Sequence, residues 1–199
     1  MATASASTIT TTTTSNNNNN KQEIKILSFN INGIKSVCVH YGGIAQLLSA
    51  LDADIVCFQE TKVNRSTISK DVAVVAGYRG YFSFTRGARS AYSGTATFVR
   101  EGSVPVLRAQ DGITGVLSNH GDDIVFARGG DEPADKDEYD EEYALATDKD
   151  EVKWSIETLQ HLDGEGRCVV TDHGEFVLLN VYAPAYSEVG ADFAVPCTE

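Results

Sequence analysis

Two predicted strands that each stop at polar side chains constrain the fold of this chain most strongly. The first, Ile24–Phe29, is typical of a strand and is followed by Asn30-Ile31-Asn32-Gly33. The second, Ile55–Phe58, is an unbroken apolar run of the kind found in strands buried on both faces, and Gln59-Glu60 follow it. Between the two runs, Ile44–Leu51 has the apolar spacing of an amphipathic helix. This strand–helix–strand order predicts an α/β fold with a crossover connection.

The rest of the chain predicts further strands and two more helices. The predicted strands are 78–84, 92–99, 167–172 and 176–183, and the predicted helices are about 66–76 and 154–162. The last two strands are typical of a hairpin that closes on His173-Gly174.

Three stretches lie outside this predicted core. Residues 1–23 are rich in Thr and Asn, which cannot bury enough apolar surface to offset the entropy of ordering, so a disordered tail is predicted. Residues about 120–151 are predicted to be a solvated acidic insertion. Residues 185–199 are interpreted as a divergent tail, which leaves residues 24–184 as the folded part.

The net charge of −12 does not exclude a nucleic-acid partner. Eleven of the 28 acidic residues lie between Asp131 and Glu151, so the remainder is close to neutral and can carry a local basic face. No run of 18 apolar residues occurs, so no membrane span is predicted. The four cysteines form no C-x-x-C pair, and the spacing therefore gives no zinc site.

Asn30 and Glu60, at the ends of the two buried strands, are the candidate metal-binding residues. Sheets in α/β folds place their sites beyond such strand ends. Mg²⁺ prefers oxygen ligands, commonly one or two carboxylates completed by water and phosphate, and Glu60 offers a carboxylate while Asn30 offers an amide oxygen. Spacing alone is also compatible with a turn asparagine and a solvated glutamate.

Five short strings resemble the N-terminal motifs of one nuclease family. They are KILSFNINGI (25–34), LDADIVCFQETK (51–62), YSGTATF (92–98), EGR (165–167) and LNVYAP (179–184). In this order they are similar to the W/F-N-I/V-N/D-G, L-Q-E-x-K, Y-S-G, E-G-R and V-Y-x-P motifs of exonuclease III-type abasic-site endonucleases. Segment 81–98 and the acidic insertion look more like the eukaryotic second class of these enzymes. The resemblance covers residues 24–184 and the N-terminal portion of the family only.

The resemblance implies a four-layered β-sandwich of the endonuclease/exonuclease/phosphatase type, with two sheets face to face and flanking helices outside, here truncated. It also implies hydrolysis of the phosphodiester 5′ of an abasic site, and removal of 3′ blocks in many members. Mg²⁺ is the implied cofactor, with Mn²⁺ as a substitute. The implied substrate is double-stranded DNA with abasic or 3′-blocked sites, and the implied compartment is the nucleus, with the mitochondrion as alternative.

The same resemblance assigns roles by position. Glu60 is expected to bind the metal, and Asn30 to support the metal and phosphate site. Tyr182 matches the active-site tyrosine near the scissile phosphate and is the predicted catalytic residue. Lys62 is expected beside the metal carboxylate, and Asn32 occupies a position that is Asp in some relatives.

A basic and aromatic stretch is the candidate DNA face. The combination suits phosphate contacts and stacking on bases or sugars: Arg79, Arg86 and Arg89 are interleaved with Tyr78, Tyr81, Phe82, Phe84 and Tyr92. The alternative is that the aromatic side chains form sheet core and the arginines a solvated face.

The chain departs from the family pattern in three places. Ala185 stands where relatives have a polar residue, and Phe58 replaces a commoner aliphatic. Residues 185–199 contain neither the G-D-x-N nor the S-D-H motif that supplies the family's water-activating Asp and catalytic His. Asp172-His173 is interpreted as a hairpin turn and not as a substitute. Little or no nuclease activity is therefore expected of the 199-residue chain, because removing a cooperating catalytic residue costs about 10⁴–10⁶ in rate.

Two other functions compete with the nuclease. One is a phosphatase of the same wider fold, such as an inositol-polyphosphate phosphatase or sphingomyelinase, which also has a strand-end Asn and Glu. The other is a catalytically inactive fragment that binds DNA or a repair protein. Inactivity on lipid phosphates argues against the first, and DNA binding without incision favours the second.

Overall fold

A computed structural model of the protein describes residues 6–13, 22–86, 92–117 and 154–184. In chain order its elements are β1 (Ala6–Thr13), β2 (Gln22–Asn30), α1 (Ile34–Tyr41), α2 (Ile44–Leu51), β3 (Ile55–Gln59), α3 (Lys70–Ala73), β4 (Tyr78–Ser83), β5 (Thr95–Arg100), β6 (Arg108–Asp111), α4 (Ile156–Gly164), β7 (Cys168–Asp172) and β8 (Val177–Val181). These strands form a five-stranded sheet in the order β1-β2-β3-β5-β4 and a three-stranded sheet in the order β6-β7-β8.

The predicted crossover is confirmed between β2 and β3. The two strands pair in parallel, and the register sets Asn30 opposite Gln59 at their carboxyl ends. The connection contains α2, over the predicted residues, and also α1, which the sequence pattern did not predict. In α2 the buried residues Ile44, Leu47 and Leu48 recur at helical spacing on one face. Burying each of them contributes about 1.5–3 kcal/mol.

Two apolar layers hold the sheets and helices together. The larger layer lies between the helices and the five-stranded sheet, where Val56, Phe58 and Phe98 are buried. The second lies between the two sheets, where Ile55 and Cys57 alternate with the first set and meet Val169 of β7. β3 is therefore buried on both faces, as its unbroken apolar run predicted. The face-to-face sheets with helices outside confirm the expected α/β sandwich.

The hairpin predicted near the end of the described chain is confirmed as β7 and β8, paired antiparallel. Among the described strands, β8 lies at one edge of its sheet. Its inner face carries the buried Asn180, whereas Val177, Leu179 and Val181 on the outer face are 45–57% exposed. Such a row at the edge of the described sheet is an apolar surface that favours association with other chains.

Other predicted elements are shorter or displaced. The helix predicted at about 66–76 is the single turn α3, and the one predicted at 154–162 is α4. β6 was not predicted, because its Arg-Ala-Gln-Asp sequence lacks apolar alternation. In the part of the chain that the structure describes, no helix has the length and apolarity needed to cross a membrane.

Strand β1 differs from the disorder predicted for residues 1–23. It pairs antiparallel with β2 from Ala6 opposite Phe29 to Thr13 opposite Gln22. Thr and Ile are β-branched and favour extended backbone, and the open edge of β2 offers unpaired N–H and C=O groups. Composition indicates how much apolar surface side chains can bury, and it does not indicate this backbone pairing.

Asp163, at the end of α4, ties this helix to the loop after β6. Its buried carboxylate accepts hydrogen bonds from the backbone N–H of Ile113 at 2.8 Å and from the backbone N–H and hydroxyl of Thr114. A substituent on the α-carbon of Gly112, which has φ +85°, would overlap the same carboxylate.

The acidic insertion predicted at about 120–151 and the tail at 185–199 lie outside the described residues.

Candidate active site

The Glu60 carboxylate is the common acceptor of three side chains that come from different parts of the chain. Asn30 Nδ2 donates to its Oε1 at 2.5 Å, and the Tyr182 hydroxyl donates to the same oxygen at 2.9 Å. The Lys62 ammonium lies 3.0 Å from Oε2. The structure thus brings together the predicted residues of β2, the segment after β3 and the end of β8.

The backbone directs these side chains toward one another. Asn30 and Glu60 meet because β2 and β3 run in parallel and end at the same edge of the sheet. Beyond the strand ends, Asn32, Glu60 and Lys62 adopt positive φ of 48°, 54° and 51°. This left-handed backbone is uncommon for side chains other than Asn and Asp and recurs at functional sites. A hydrogen bond from the N–H of Gly33 to the carbonyl of Glu60, at 2.7 Å, joins the two segments.

Asn32 and Lys62 complete the cluster on its exposed side. The N–H of Asn32 donates to Asn30 Oδ1 at 2.9 Å, and the Lys62 ammonium donates to Asn32 Oδ1. Lys62 therefore bridges Asn32 and Glu60, and its partly exposed ammonium is available to a phosphate oxygen.

Arg167 contacts both the backbone and the ring of Tyr182. The N–H of Tyr182 donates to the carbonyl of Arg167 at 2.8 Å, and the Arg167 guanidinium lies 5.2 Å from the centre of the Tyr182 ring. Glu165 pairs with this guanidinium. The E-G-R string (165–167) carried no predicted role, and in the structure it sets the Arg167 guanidinium between Glu165 and the Tyr182 ring.

The neighbours of Glu60 favour its charged form. The hydrogen bond from Asn30, followed by those from Lys62 and Tyr182, holds the pKa of the Glu60 carboxyl below its ordinary value against the opposing effect of burial. Burial first, and then the hydrogen bond to Glu60, raises the pKa of the Tyr182 hydroxyl. Glu60 is thus an anion and Tyr182 a neutral donor at neutral pH.

The donor set fits a hard divalent cation. Glu60 presents a carboxylate, the donor that such a cation prefers, while Asn30 turns its amide nitrogen to this carboxylate and its Oδ1 to the N–H of Asn32. The described residues include no group of three or more His, Cys, Asp or Glu side chains that could hold a metal by itself. A cation at this site would therefore depend on water and phosphate for most of its ligands, which is the usual situation of Mg²⁺.

The predicted DNA face is only partly described. Arg86 forms an ion pair with the buried Asp111 at 2.9 Å, and Arg89 lies outside the described residues. Tyr81, Phe82 and Phe84 are buried in the sheet core. These three aromatic side chains therefore match the alternative reading of the stretch, and the contact of the arginines with DNA stays a prediction.

His173 lies in the hairpin turn, as the sequence indicated. Its ring is buried and stacks on Phe176, with the ring centres 4.6 Å apart. Nδ1 lies 2.8 Å from the carbonyl of Pro105, and Nε2 lies 2.9 Å from the hydroxyl of Thr171. His173 is therefore part of the packing at the turn between β7 and β8. Tyr182 follows the other end of β8.

Comparison with known protein families extends this geometry. The model of the endonuclease/exonuclease/phosphatase family matches residues 27–171, which is more than half of the chain. The chain belongs to this family. The endonuclease/exonuclease/phosphatase match covers the end of β2, all of β3 and the Asn30–Glu60 pair, and it ends before Tyr182.

Individual relatives in the family cover most of this chain but only part of their own length. DNA-(apurinic or apyrimidinic site) endonuclease 2 of Xenopus laevis is 38% identical over 170 residues, covering 81% of this chain and 28% of the relative. The Homo sapiens protein of the same name is 34% identical over 181 residues, covering 81% and 30%. The chain therefore spans about three tenths of these relatives.

A solved structure supports the same assignment of fold. The crystal structure of the Xenopus laevis APE2 catalytic domain superposes with a TM-score of 0.57 at 34% identity. The superposition covers 81% of this chain and 46% of that domain. The two-sheet α/β architecture is accordingly that of the endonuclease/exonuclease/phosphatase family.

Proposed function

We propose that this protein is a DNA-repair nuclease that hydrolyses phosphodiesters at abasic sites, and at blocked 3′ ends, with Mg²⁺ or Mn²⁺. The proposed substrate is double-stranded DNA. The names of the similar proteins support abasic DNA over a lipid phosphate as substrate.

The convergence of Asn30, Lys62 and Tyr182 on one Glu60 carboxylate carries this proposal. Phosphodiester hydrolysis needs compensation of the negative charge on the phosphate oxygens, and it needs donors placed where that charge develops. Glu60 supplies a fixed anion for a cation, while the Lys62 ammonium and Tyr182 hydroxyl are a cation and a neutral donor beside it.

Each residue has a separate task in the proposed site. Glu60, with Asn30, would hold the metal, which supplies charge neutralisation on a phosphate oxygen. The Tyr182 hydroxyl donates a hydrogen bond to a phosphate oxygen near the scissile bond, which makes it the proposed catalytic residue. Lys62 and Asn32 contact the flanking phosphate. Arg86 and Arg89 are proposed to contact the DNA backbone beyond the site.

Metal and DNA binding by the 199-residue chain test the proposal directly. Titration with Mn²⁺, followed by electron paramagnetic resonance, is expected to give one site that Glu60→Gln removes. The matched control is Glu175→Gln, which makes the same change at an exposed position in the hairpin turn. If the Glu60→Gln variant retained the Mn²⁺ site, Glu60 would not be the ligand of the metal.

Fluorescence anisotropy with a duplex that carries an abasic analogue tests the substrate. Tighter binding of this duplex than of an intact one, in Mg²⁺ but not in EDTA, is the expected result, and Tyr182→Phe is expected to weaken it. Equal affinity for both duplexes contradicts the abasic specificity. Tight binding of an inositol polyphosphate in place of DNA would favour the phosphatase reading.

The nucleus is the proposed compartment, because the proposed substrate is chromosomal DNA, and mitochondrial DNA is the second candidate. Imaging of the tagged chain against nuclear and mitochondrial markers distinguishes the two. Accumulation in neither compartment would contradict this part of the proposal.

A further inference from the structure

A pair of buried amide side chains crosses the apolar interface between the two sheets. Gln59 Nε2 donates to Asn180 Oδ1 at 2.8 Å and to the Ser28 hydroxyl at 3.0 Å. Asn180 Nδ2 in turn lies 2.9 Å from the carbonyl of Ala96, 3.3 Å from that of Phe58 and 3.2 Å from the Thr97 hydroxyl. Both amide residues are less than a tenth exposed.

These amides form the layer directly beneath the Glu60 cluster. Gln59 precedes Glu60 by one residue, and Asn180 precedes Tyr182 by two residues on the same side of β8. Ser28, the third member, precedes Asn30 by two residues on β2. Each member of the buried layer therefore shares a strand or strand end with one member of the candidate site.

The geometry points to Gln59 and Asn180 as positioning residues, whose hydrogen bond fixes the end of β8 against β3 and so sets the Tyr182 hydroxyl on the Glu60 carboxylate. This inference rests on the proposed function for its catalytic meaning. The contact that it concerns is the 2.9 Å hydrogen bond from the Tyr182 hydroxyl to Glu60.

The two buried amides make the packing of the two sheets depend on direction, because hydrogen bonds need a defined geometry. Apolar contacts such as Cys57 against Val169 tolerate sliding of one sheet on the other, because the hydrophobic effect has no preferred angle. A buried amide instead requires its partners at hydrogen-bond distance and angle. A shift of β8 by one residue would turn Asn180 to the outer face and leave Gln59 opposite an apolar side chain.

The test replaces the amides with apolar side chains of similar shape and then measures whether Tyr182 still senses Glu60. The chain is labelled with 3-fluorotyrosine, and the ¹⁹F resonance of Tyr182 is assigned from its loss in Tyr182→Phe. In the otherwise unchanged chain, Glu60→Gln is expected to shift this resonance. In the Gln59→Met/Asn180→Leu background the shift is expected to be lost.

A matched control separates positioning from general loosening of the interface. Ile24→Ala removes buried volume from the same apolar layer between the sheets, four residues before Ser28 on β2, so the shift caused by Glu60→Gln is expected to persist in it. Thermal unfolding is recorded for every variant, because removing both partners of a buried hydrogen bond together costs less stability than removing one. Gln59→Met alone serves if the double variant does not fold.

Two outcomes overturn the inference. One is an unchanged Glu60→Gln shift in the folded amide variant, and the other is no shift in the parent chain. If the proposed function is wrong and the inference is right, the result is different. Mn²⁺ then binds without broadening the Tyr182 resonance, and this resonance still responds to Glu60→Gln.

Discussion

Lys62 holds its ammonium 3.0 Å from Glu60 Oε2, on the carboxylate that a divalent cation would share. The ion pair compensates the charge of Glu60, and it would compete with a divalent cation for the same oxygen. Lys62 is therefore expected to oppose metal binding and to favour phosphate binding.

Substitution Lys62→Met should change the two affinities in opposite directions. Mn²⁺ affinity is expected to rise by roughly two- to fivefold, since an exposed ion pair is worth up to about 1 kcal/mol. DNA affinity is expected to fall, with the slope of log K against log salt reduced by about 0.9 for one lost phosphate contact. Titration calorimetry and anisotropy at several salt concentrations measure these effects. A fall in both affinities would show that Lys62 supports the site without competing for it.

Glu60 should remain ionised into acid solution. The hydrogen bond from Asn30, with those from Lys62 and Tyr182, holds its pKa below the ordinary value of 4.5, so its contribution to stability is present above that value and is lost as pH falls through the folded-state value. The difference in unfolding free energy between the parent chain and Glu60→Gln, measured by urea titration, should therefore stay constant from pH 7 to about 5. A steady decline over that range contradicts the lowered pKa.

His173 should make the fold weaken at mildly acidic pH. Burial lowers its pKa, although the hydrogen bond to Pro105 opposes this. The unfolded chain then binds more protons than the folded one, so stability is full above about pH 6.5 and is lost as pH falls below it. His173→Gln keeps polar groups near Pro105 and Thr171 but should flatten the pH dependence between 7 and 5. Parallel pH profiles for the two chains would exclude this histidine as the cause.

Gly166 should tolerate no side chain. It has φ +69°, and a β-carbon there would lie 2.5 Å from the backbone C of Phe84 and N of Thr85. Gly166→Ala is expected to cost about 3 kcal/mol or more, from backbone strain and overlap with main-chain atoms that cannot move aside. Gly102→Ala is the control, because its φ is also positive and no atom lies within 4 Å of the added carbon. Equal losses in chemical denaturation would mean that strain alone matters.

The outer face of β8 should govern self-association. Leu179→Lys places a charge within the exposed row Val177, Leu179 and Val181 and should reduce light scattering at high protein concentration with little change in melting temperature. Ala50→Lys adds the same charge at an exposed helix position and is expected to leave scattering high. If both variants scatter equally little, net charge and not the strand surface controls solubility.

The sequence predicted those features whose signal is local. The apolar run of β3 and its polar stop at Glu60 follow from burial on both faces, and the meeting of Asn30 with Glu60 follows from parallel strands ending at one edge. The contact of Tyr182 with Glu60 joins residues 122 apart in the chain, and only the resemblance indicated it. Which side chains of two sheets face each other depends on the packing angle and shift of the sheets, and no short pattern encodes these.

Other features were missed for related reasons. The backbone of β1 pairs with that of β2 although the composition of β1 is polar. The left-handed backbone at Glu60 and Lys62 is required by the loop geometry and not by residue type. The sequence does not indicate the ion pair of Arg86 with the buried Asp111, because the two residues lie 25 positions apart.

Asp163 has a consequence for how this fold can vary. It joins Ile113 and Thr114 to the end of α4, two parts of the fold that are about fifty residues apart in the chain. The entropy of bringing two such points together grows slowly with their separation, by about 0.6 kcal/mol for each doubling. A single buried carboxylate with several donors can therefore hold this long-range contact, and the contact would be little weakened in a relative whose two segments are farther apart in sequence.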